Sequence, residues 1–297
     1  MRVRLLIFIL KAIAHLPLGV LYLFADVMFF LIYHLARYRR KVVDDNLAAC
    51  FPEMSGAARA AVRRQFYRNF ADYIVETVKL FHISDAEMSR RMVFENVEAI
   101  DRLTASGRSV AVYFSHCGNW EWAPSVTLHA SSAPDIAYCQ VYRPLRDKVF
   151  DAVMLAARSR FGSLSLPKAT VLRSLVGLAR DGKVTVTGFM SDQKPSHGDP
   201  TVPLMFLNRP TAFISGTETL AARLRMGAIY WDMHKTSRGH YRIDCRLLAD
   251  DADALPKGEL TRRYAAALQQ TITRNPAIWL WTHKRWKIPV TAPAMPL

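Results

Sequence analysis

His116 and Glu121 stand five positions apart in Ser115-His116-Cys117-Gly118-Asn119-Trp120-Glu121, a segment that combines a base, a carboxylate and a turn. An imidazole with one nitrogen held by a carboxylate leaves the other free to take a proton, as general-base catalysis requires. Spacing alone is weak support: with 9 His and 25 acidic residues, about one such pair is expected by chance. His82 with Glu87 is a second. Context separates the two. His82 closes an amphipathic helix and enters a polar connector, whereas His116 follows the apolar run Val110-Ala111-Val112-Tyr113-Phe114 and precedes Gly118-Asn119, which suits a tight turn or a helix N-cap. The ends of such strands are where α/β proteins bind ligands. Five residues along one helix would point the two side chains apart. The histidine is therefore expected on the turn, with Glu121 in the first turns of a helix beginning near Trp120 and holding the imidazole. The free amides of that helix start would face an anion. A base, an orienting carboxylate and amide donors are what acyl transfer to a hydroxyl needs. Two other readings stay open: a structural histidine, and Cys117 as nucleophile with His116 as its base. A metal site is not expected, since the cluster has too few ligands and the chain has no HExxH-like set.

The elements that must place these residues follow from hydrophobic periodicity. Glu53 to Phe81 predicts a long amphipathic helix, with Phe66, Phe70, Tyr73, Ile74, Val78 and Phe81 as a core-facing stripe. Beyond Val93, short strands and helices alternate. Strands are expected at Val110 to Phe114, Ile136 to Val141, Val184 to Thr187, Val202 to Leu207, Ala228 to Met233 and Tyr241 to Leu247. Helices are expected at Glu98 to Ala105, Lys148 to Arg160, Lys168 to Arg180, Ser215 to Arg225 and Glu259 to Arg274. This order predicts an α/β fold with a central, mainly parallel or mixed sheet covered by helices.

The 297 residues carry a net charge of +15 and are 51% hydrophobic, with much of the apolar excess before residue 37. Such a charge asks for an anionic partner: nucleic acid, a membrane surface or a phosphorylated substrate. The N-terminus chooses among them. The stretch Ala12 to Ala36 is mostly apolar and ends in Arg37-Tyr38-Arg39-Arg40-Lys41, a basic collar suited to anionic headgroups. Residues 1–41 are read as a hydrophobic membrane anchor, either a spanning helix or a helical hairpin lying in one leaflet. Residues 42–297 form the second unit. No nucleic-acid motif accompanies the charge. Cys50, Cys117, Cys139 and Cys245 share no short spacing and imply neither metal knuckle nor disulfide framework.

Further along, the residues resemble the lipid A biosynthesis acyltransferase family, the late enzymes that add secondary acyl chains. The resemblance runs through His116-Cys117-Gly118-Asn119-Trp120-Glu121, Tyr142-Arg143-Pro144, the basic helix end at Arg158, Ser191-Asp192-Gln193 with Gly198, and the run Val202 to Phe206. It ends with Asn275-Pro276, Trp279, Trp281, His283 and Arg285-Trp286-Lys287. Two departures bear on substrate. The terminal motif is Thr-His-Lys-Arg-Trp-Lys rather than Leu-His-Arg-Arg-Phe-Lys, and the Asp-Gln loop continues Lys-Pro-Ser-His-Gly without Tyr-Gly. The resemblance implies transfer of a fatty acyl chain from an acyl carrier protein thioester to a hydroxyl of a lipid A precursor, a phosphorylated glycolipid. His116 and Glu121 would be catalytic. Asn119, Arg143, Arg158, Asp192, Gln193 and Arg285 would bind the acceptor or stabilise charge. No cofactor is implied, and the place of work would be the cytoplasmic side of the inner membrane. Other acceptors, lysophospholipids or aminolipids, fit the same chemistry. A non-catalytic basic membrane-surface protein is the reading from outside enzymology.

Overall fold

Val110–Phe114, the strand that leads into His116, is buried on both faces because it lies at the centre of a seven-stranded sheet. The computed structural model describes residues 2–131, 133–290 and 293–297. In chain order the strands are β1 (Met92–Glu95), β2 (Val110–Phe114), β3 (Ile136–Tyr142), β4 (Leu164–Pro167), β5 (Val184–Met190), β6 (Thr201–Phe206), β7 (Arg209–Ile214), β8 (Gly227–Ser237) and β9 (His240–Ala249). The sheet order is β1-β9-β8-β2-β5-β3-β4. Neighbours run parallel except for the antiparallel β8–β9 hairpin. β6 and β7 form a separate antiparallel pair. The expected mixed, mainly parallel sheet is thus present, and an uninterrupted apolar run is what a doubly covered strand requires.

The helices are α1 (Arg2–Ala14), α2 (Leu18–Phe30), α3 (Arg40–Cys50), α4 (Gly56–Lys79), α5 (Asp85–Arg91), α6 (Glu98–Ala105), α7 (Lys148–Arg158), α8 (Val171–Arg180), α9 (Gly216–Arg223) and α10 (Glu259–Arg274). Tyr113 and Tyr230 meet Tyr264 of α10 on one face of the sheet. Their chain neighbours Phe114 and Trp231 pack together on the other. Three strands lack a periodic signal. β1 and β4 are four-residue edge strands, and β7 contains Pro210, tolerated because among the described residues β7 pairs with β6 alone.

Two expectations need correction. No α-helix begins near Trp120; the chain makes turns and then a 3-10 helix over Ala123–Leu128, with Pro124 in its first turn. Side-chain bonds from Asn119 and Trp122 to α4 hold this segment, so tertiary contacts override the local preference. The stripe on α4 is also displaced. Phe70, Tyr73, Ile74 and Val78 are half-buried, while the fully packed face carries Tyr67, Ala71 and Val75 together with Asp72, Glu76 and Lys79.

The N-terminal segment breaks at His15-Leu16-Pro17 into α1 and α2, the latter prolonged by a π turn over Leu31–Leu35. Proline suits the start of the second helix because its missing N–H has no intrahelical partner there. Lys79 donates to the carbonyls of Ala14 and Leu16 at 2.9 and 3.0 Å and so fixes the break. α2 lies along α4 with Leu18, Leu21, Ala25 and Phe29 buried. Its other side points outward: Phe8 of α1, Leu23 and Leu35 are 70%, 67% and 65% exposed. Leu18–Leu35 is long and apolar enough to cross a bilayer, yet 28% of it is buried against the rest of the chain.

Candidate active site

His116 sits just past β2, where the chain leaves the sheet. Its backbone is pinned by an antiparallel bridge between Cys117 and Trp279: Leu280 N–H donates to the His116 carbonyl at 3.1 Å and Gly118 N–H to the Ile278 carbonyl at 2.9 Å. Gly118 turns the chain with φ +58, and a Cβ there would lie 2.9 Å from Met233 Cγ and 3.2 Å from the Tyr241 ring. Glycine is therefore required both by backbone angle and by space.

The imidazole is held by Asp192, not by Glu121. His116 Nδ1 lies 2.8 Å from Asp192 Oδ1, and His116 N–H donates to Oδ2 at 3.0 Å. The Trp279 indole donates to the same Oδ2 at 2.9 Å. Asp192 is only 1% exposed. Burial would raise its pKa, but the charge and hydrogen bonds of His116 with the Trp279 bond outweigh it, bringing the group down to about 2. An ionised carboxylate only accepts hydrogen bonds. Nδ1 must therefore carry the proton and Nε2 the lone pair, which receives the Gln193 Nε2 amide at 3.0 Å. Trp120 stands edge-on to the imidazole, its centroid 5.1 Å away.

Glu121 turns to Arg158, whose Nε and a terminal nitrogen donate to its two oxygens at 2.8 and 2.6 Å. Among the described residues no hydrogen bond joins Glu121 to His116; the carboxylate in contact with the imidazole is Asp192. The reason is chain direction: without a helix at Trp120 the Glu121 side chain meets the end of α7 instead. Glu121 nevertheless belongs to the site, because both it and Arg158 line the same pocket as His116.

That pocket has a volume of about 530 Å³. Phe114, Val141, Leu172, Phe189, Ile214 and Leu220 supply apolar wall; Arg143 and Arg223 supply positive charge, while Arg158 and Lys168 are paired with Glu121 and Asp199 of the same lining. A space of this kind suits a ligand with a long apolar portion and an anionic end. Arg143 is exposed and forms no ion pair among the described residues. Gln193 reaches the pocket from the loop after β5.

Two expected contact residues lie elsewhere. Asn119 is completely buried and does not line the pocket; its amide donates to Glu76 at 2.8 Å and its oxygen accepts from Trp122 N–H at 3.2 Å. Arg285 is 3% exposed, lies over the Phe213 ring at 5.0 Å and donates to the Ala212 carbonyl at 2.7 Å. Burial lowers its pKa to about 10, against the pull of Asp192. Both are corrections with one cause: side-chain type is readable from sequence, but which side of a packed wall it occupies is not. Residues that spacing does not flag include Trp279, Lys168, Arg223 and Glu76. Nearby, His283 accepts from Lys194 N–H at 3.2 Å, and burial first, then surrounding positive charge, lowers its pKa to about 4 despite Asp192.

Residues 2–288 match the family model described as bacterial lipid A biosynthesis acyltransferase. Among curated proteins, the lipid A biosynthesis palmitoleoyltransferase of Escherichia coli (strain K12) is 23% identical over 259 residues, covering 84% of this chain and 79% of that protein. The lipid A biosynthesis acyltransferase of Shigella flexneri aligns with the same identity and coverage.

Proposed function

From the premise that this chain belongs to the bacterial lipid A biosynthesis acyltransferase family and is an acyltransferase, we propose that it moves a fatty acyl chain from an acyl carrier protein thioester to a hydroxyl of a lipid A precursor. The observation that carries this reading is the unprotonated His116 Nε2, fixed by buried Asp192 and facing a pocket with apolar walls and basic residues. The acceptor hydroxyl takes the place of the Gln193 amide at Nε2. His116 removes its proton, the oxygen attacks the thioester carbonyl carbon, and the carbon–sulfur bond breaks to give an ester and a free thiol. The proton returns from His116 to the departing sulfur. Asp192 stabilises the imidazolium in between. Arg158, held bidentate by Glu121, and Gln193 are assigned to the oxygen on which negative charge develops. Arg143 and Arg223 are assigned to anionic groups at the mouth, the phosphates of the acceptor or of the donor.

The N-terminal residues 1–41 act in this reading as a membrane anchor lying in one leaflet. α1 touches α7, where Phe150 is 55% exposed, so the apolar outer face of the hairpin adjoins the helix that carries Arg158 into the pocket. A lipid acceptor then reaches His116 without leaving the interface. The basic collar Arg37 to Lys41 supports assigning the pocket to the cytoplasmic side of the inner membrane, and the basic surface suits an acidic carrier protein. The direct test is an assay with acyl carrier protein thioesters and a panel of lipid acceptors, comparing wild type with His116→Ala. Loss of transfer in the variant supports the reading; equal activity in both refutes it. Transfer to lysophospholipids or aminolipids alone would keep the mechanism and replace the acceptor.

A further inference from the structure

Glu76 takes no part in the reaction just described, yet it is a carboxylate placed in the core beside the site. It sits in the last turn of α4 with no exposed surface and forms no ion pair among the described residues. Removing a carboxylate from water without a counter-ion is costly unless hydrogen bonds satisfy it. Three bonds from three parts of the chain do so. Tyr22 of α2 donates at 2.9 Å, Asn119 at 2.8 Å and Tyr241 of β9 at 2.8 Å. The backbone carbonyl of Glu76 accepts the Trp122 indole at 3.0 Å. Asn119 in turn caps Trp122 N–H at 3.2 Å. Both ends of the 119–122 turn are therefore tied to one residue. Within that turn, Trp120 packs on Tyr73, one helical turn before Glu76, with ring centroids 4.2 Å apart. Trp120 also meets His116, and the next residue, Glu121, grips Arg158.

Resting on the acyl-transfer reading above, we propose that Glu76 is a positioning residue that holds the 119–122 turn so that Trp120 and Glu121 flank His116. Through Tyr22, this geometry depends on the α1–α2 hairpin being seated on α4. The role is geometric rather than acid–base. A glutamine at 76 can keep all three bonds, because its oxygen accepts from Asn119 and Tyr241 while its amide donates to a reversed Tyr22 hydroxyl. An alanine keeps none.

The experiment compares wild type, Glu76→Ala, Glu76→Gln and Tyr22→Phe in steady-state kinetics with an acyl carrier protein thioester and a lipid acceptor in detergent micelles. Amide hydrogen exchange is followed at residues 118–123 and in β2 without substrate. Glu76→Ala is expected to lose about 100-fold in kcat with little change in KM, the scale of a misplaced catalytic constellation. Exchange should quicken at 118–123 and not in β2. Glu76→Gln should recover to within about tenfold, and Tyr22→Phe should lose roughly five- to tenfold, the worth of one hydrogen bond. Wild-type kcat and exchange in Glu76→Ala, or exchange that rises equally in β2, would overturn the proposal. If Glu76→Ala does not fold, Tyr22→Phe decides by the same two readings. A wild-type protein that transfers no acyl chain sinks the functional reading alone, since exchange at the turn still tests the positioning.

Discussion

Asp192→Asn isolates the tautomer argument. Asp192 Oδ2 receives two N–H groups, from His116 and Trp279, whereas among the described residues Oδ1 faces His116 Nδ1 alone. An asparagine can satisfy that arrangement only with its oxygen in the Oδ2 position and its NH2 toward Nδ1. The imidazole must then carry its proton on Nε2, the atom that has to be basic. At 2.8 Å the attraction between carboxylate and imidazolium is about 6 kcal/mol at an effective dielectric of about 20. Part of it survives as a hydrogen bond to the neutral ring. The expected loss in kcat is therefore about 10³–10⁴-fold, or about 4–5.5 kcal/mol of barrier. KM should hold, because Asp192 does not line the pocket. Steady-state kinetics with an acyl carrier protein thioester measures the first quantity, and nitrogen NMR of labelled His116 shows which ring nitrogen is protonated. A folded variant with kcat within tenfold of wild type, or with Nδ1 still protonated, would overturn the assignment of Asp192 as the group that sets the tautomer.

Three more expectations concern the supports of the site. Arg158→Ala strands the buried Glu121 carboxylate and is expected to cost about 3–5 kcal/mol in urea denaturation; Glu121→Ala should cost less, and the double variant should recover part of the loss, whereas additive losses would deny the pair. Because the folded-state pKa of Asp192 lies below its unfolded value of 3.8, the stability it contributes is complete above about pH 4 and is lost as pH falls toward about 2, about 2 kcal/mol in all. Acid titration followed by circular dichroism should therefore show a shallower loss in Asp192→Asn. On the outer face of α2, Leu23→Glu and Phe24→Glu should each weaken binding to anionic vesicles by about 1.5–3 kcal/mol in a flotation assay, without altering the melting temperature; unchanged flotation would remove the hairpin from the membrane.

Much of this protein is legible in one dimension. The apolar run Val110 to Phe114 requires a strand buried on both faces, and the structure places it at the sheet centre. Glu98–Ala105 and Glu259–Arg274 are helices with the bounds their periodicity marks, because amphipathic spacing and end residues act within a few positions of chain. The family motifs and the strand-end setting of His116 are equally local. The partner of that histidine is not. Glu121 is five residues away and Asp192 seventy-six, yet the carboxylate at the imidazole is Asp192, because parallel β2 and β5 lie side by side and end together. The same long-range logic hides Glu76, whose value lies in donors from α2, the His116 loop and β9, and withdraws Asn119 and Arg285 from the pocket by packing them behind its wall. Sequence determined which groups are available and where the chain turns. Which groups meet depends on sheet order and on side-chain direction at a packed wall, and both come from contacts between residues that are neighbours in space alone.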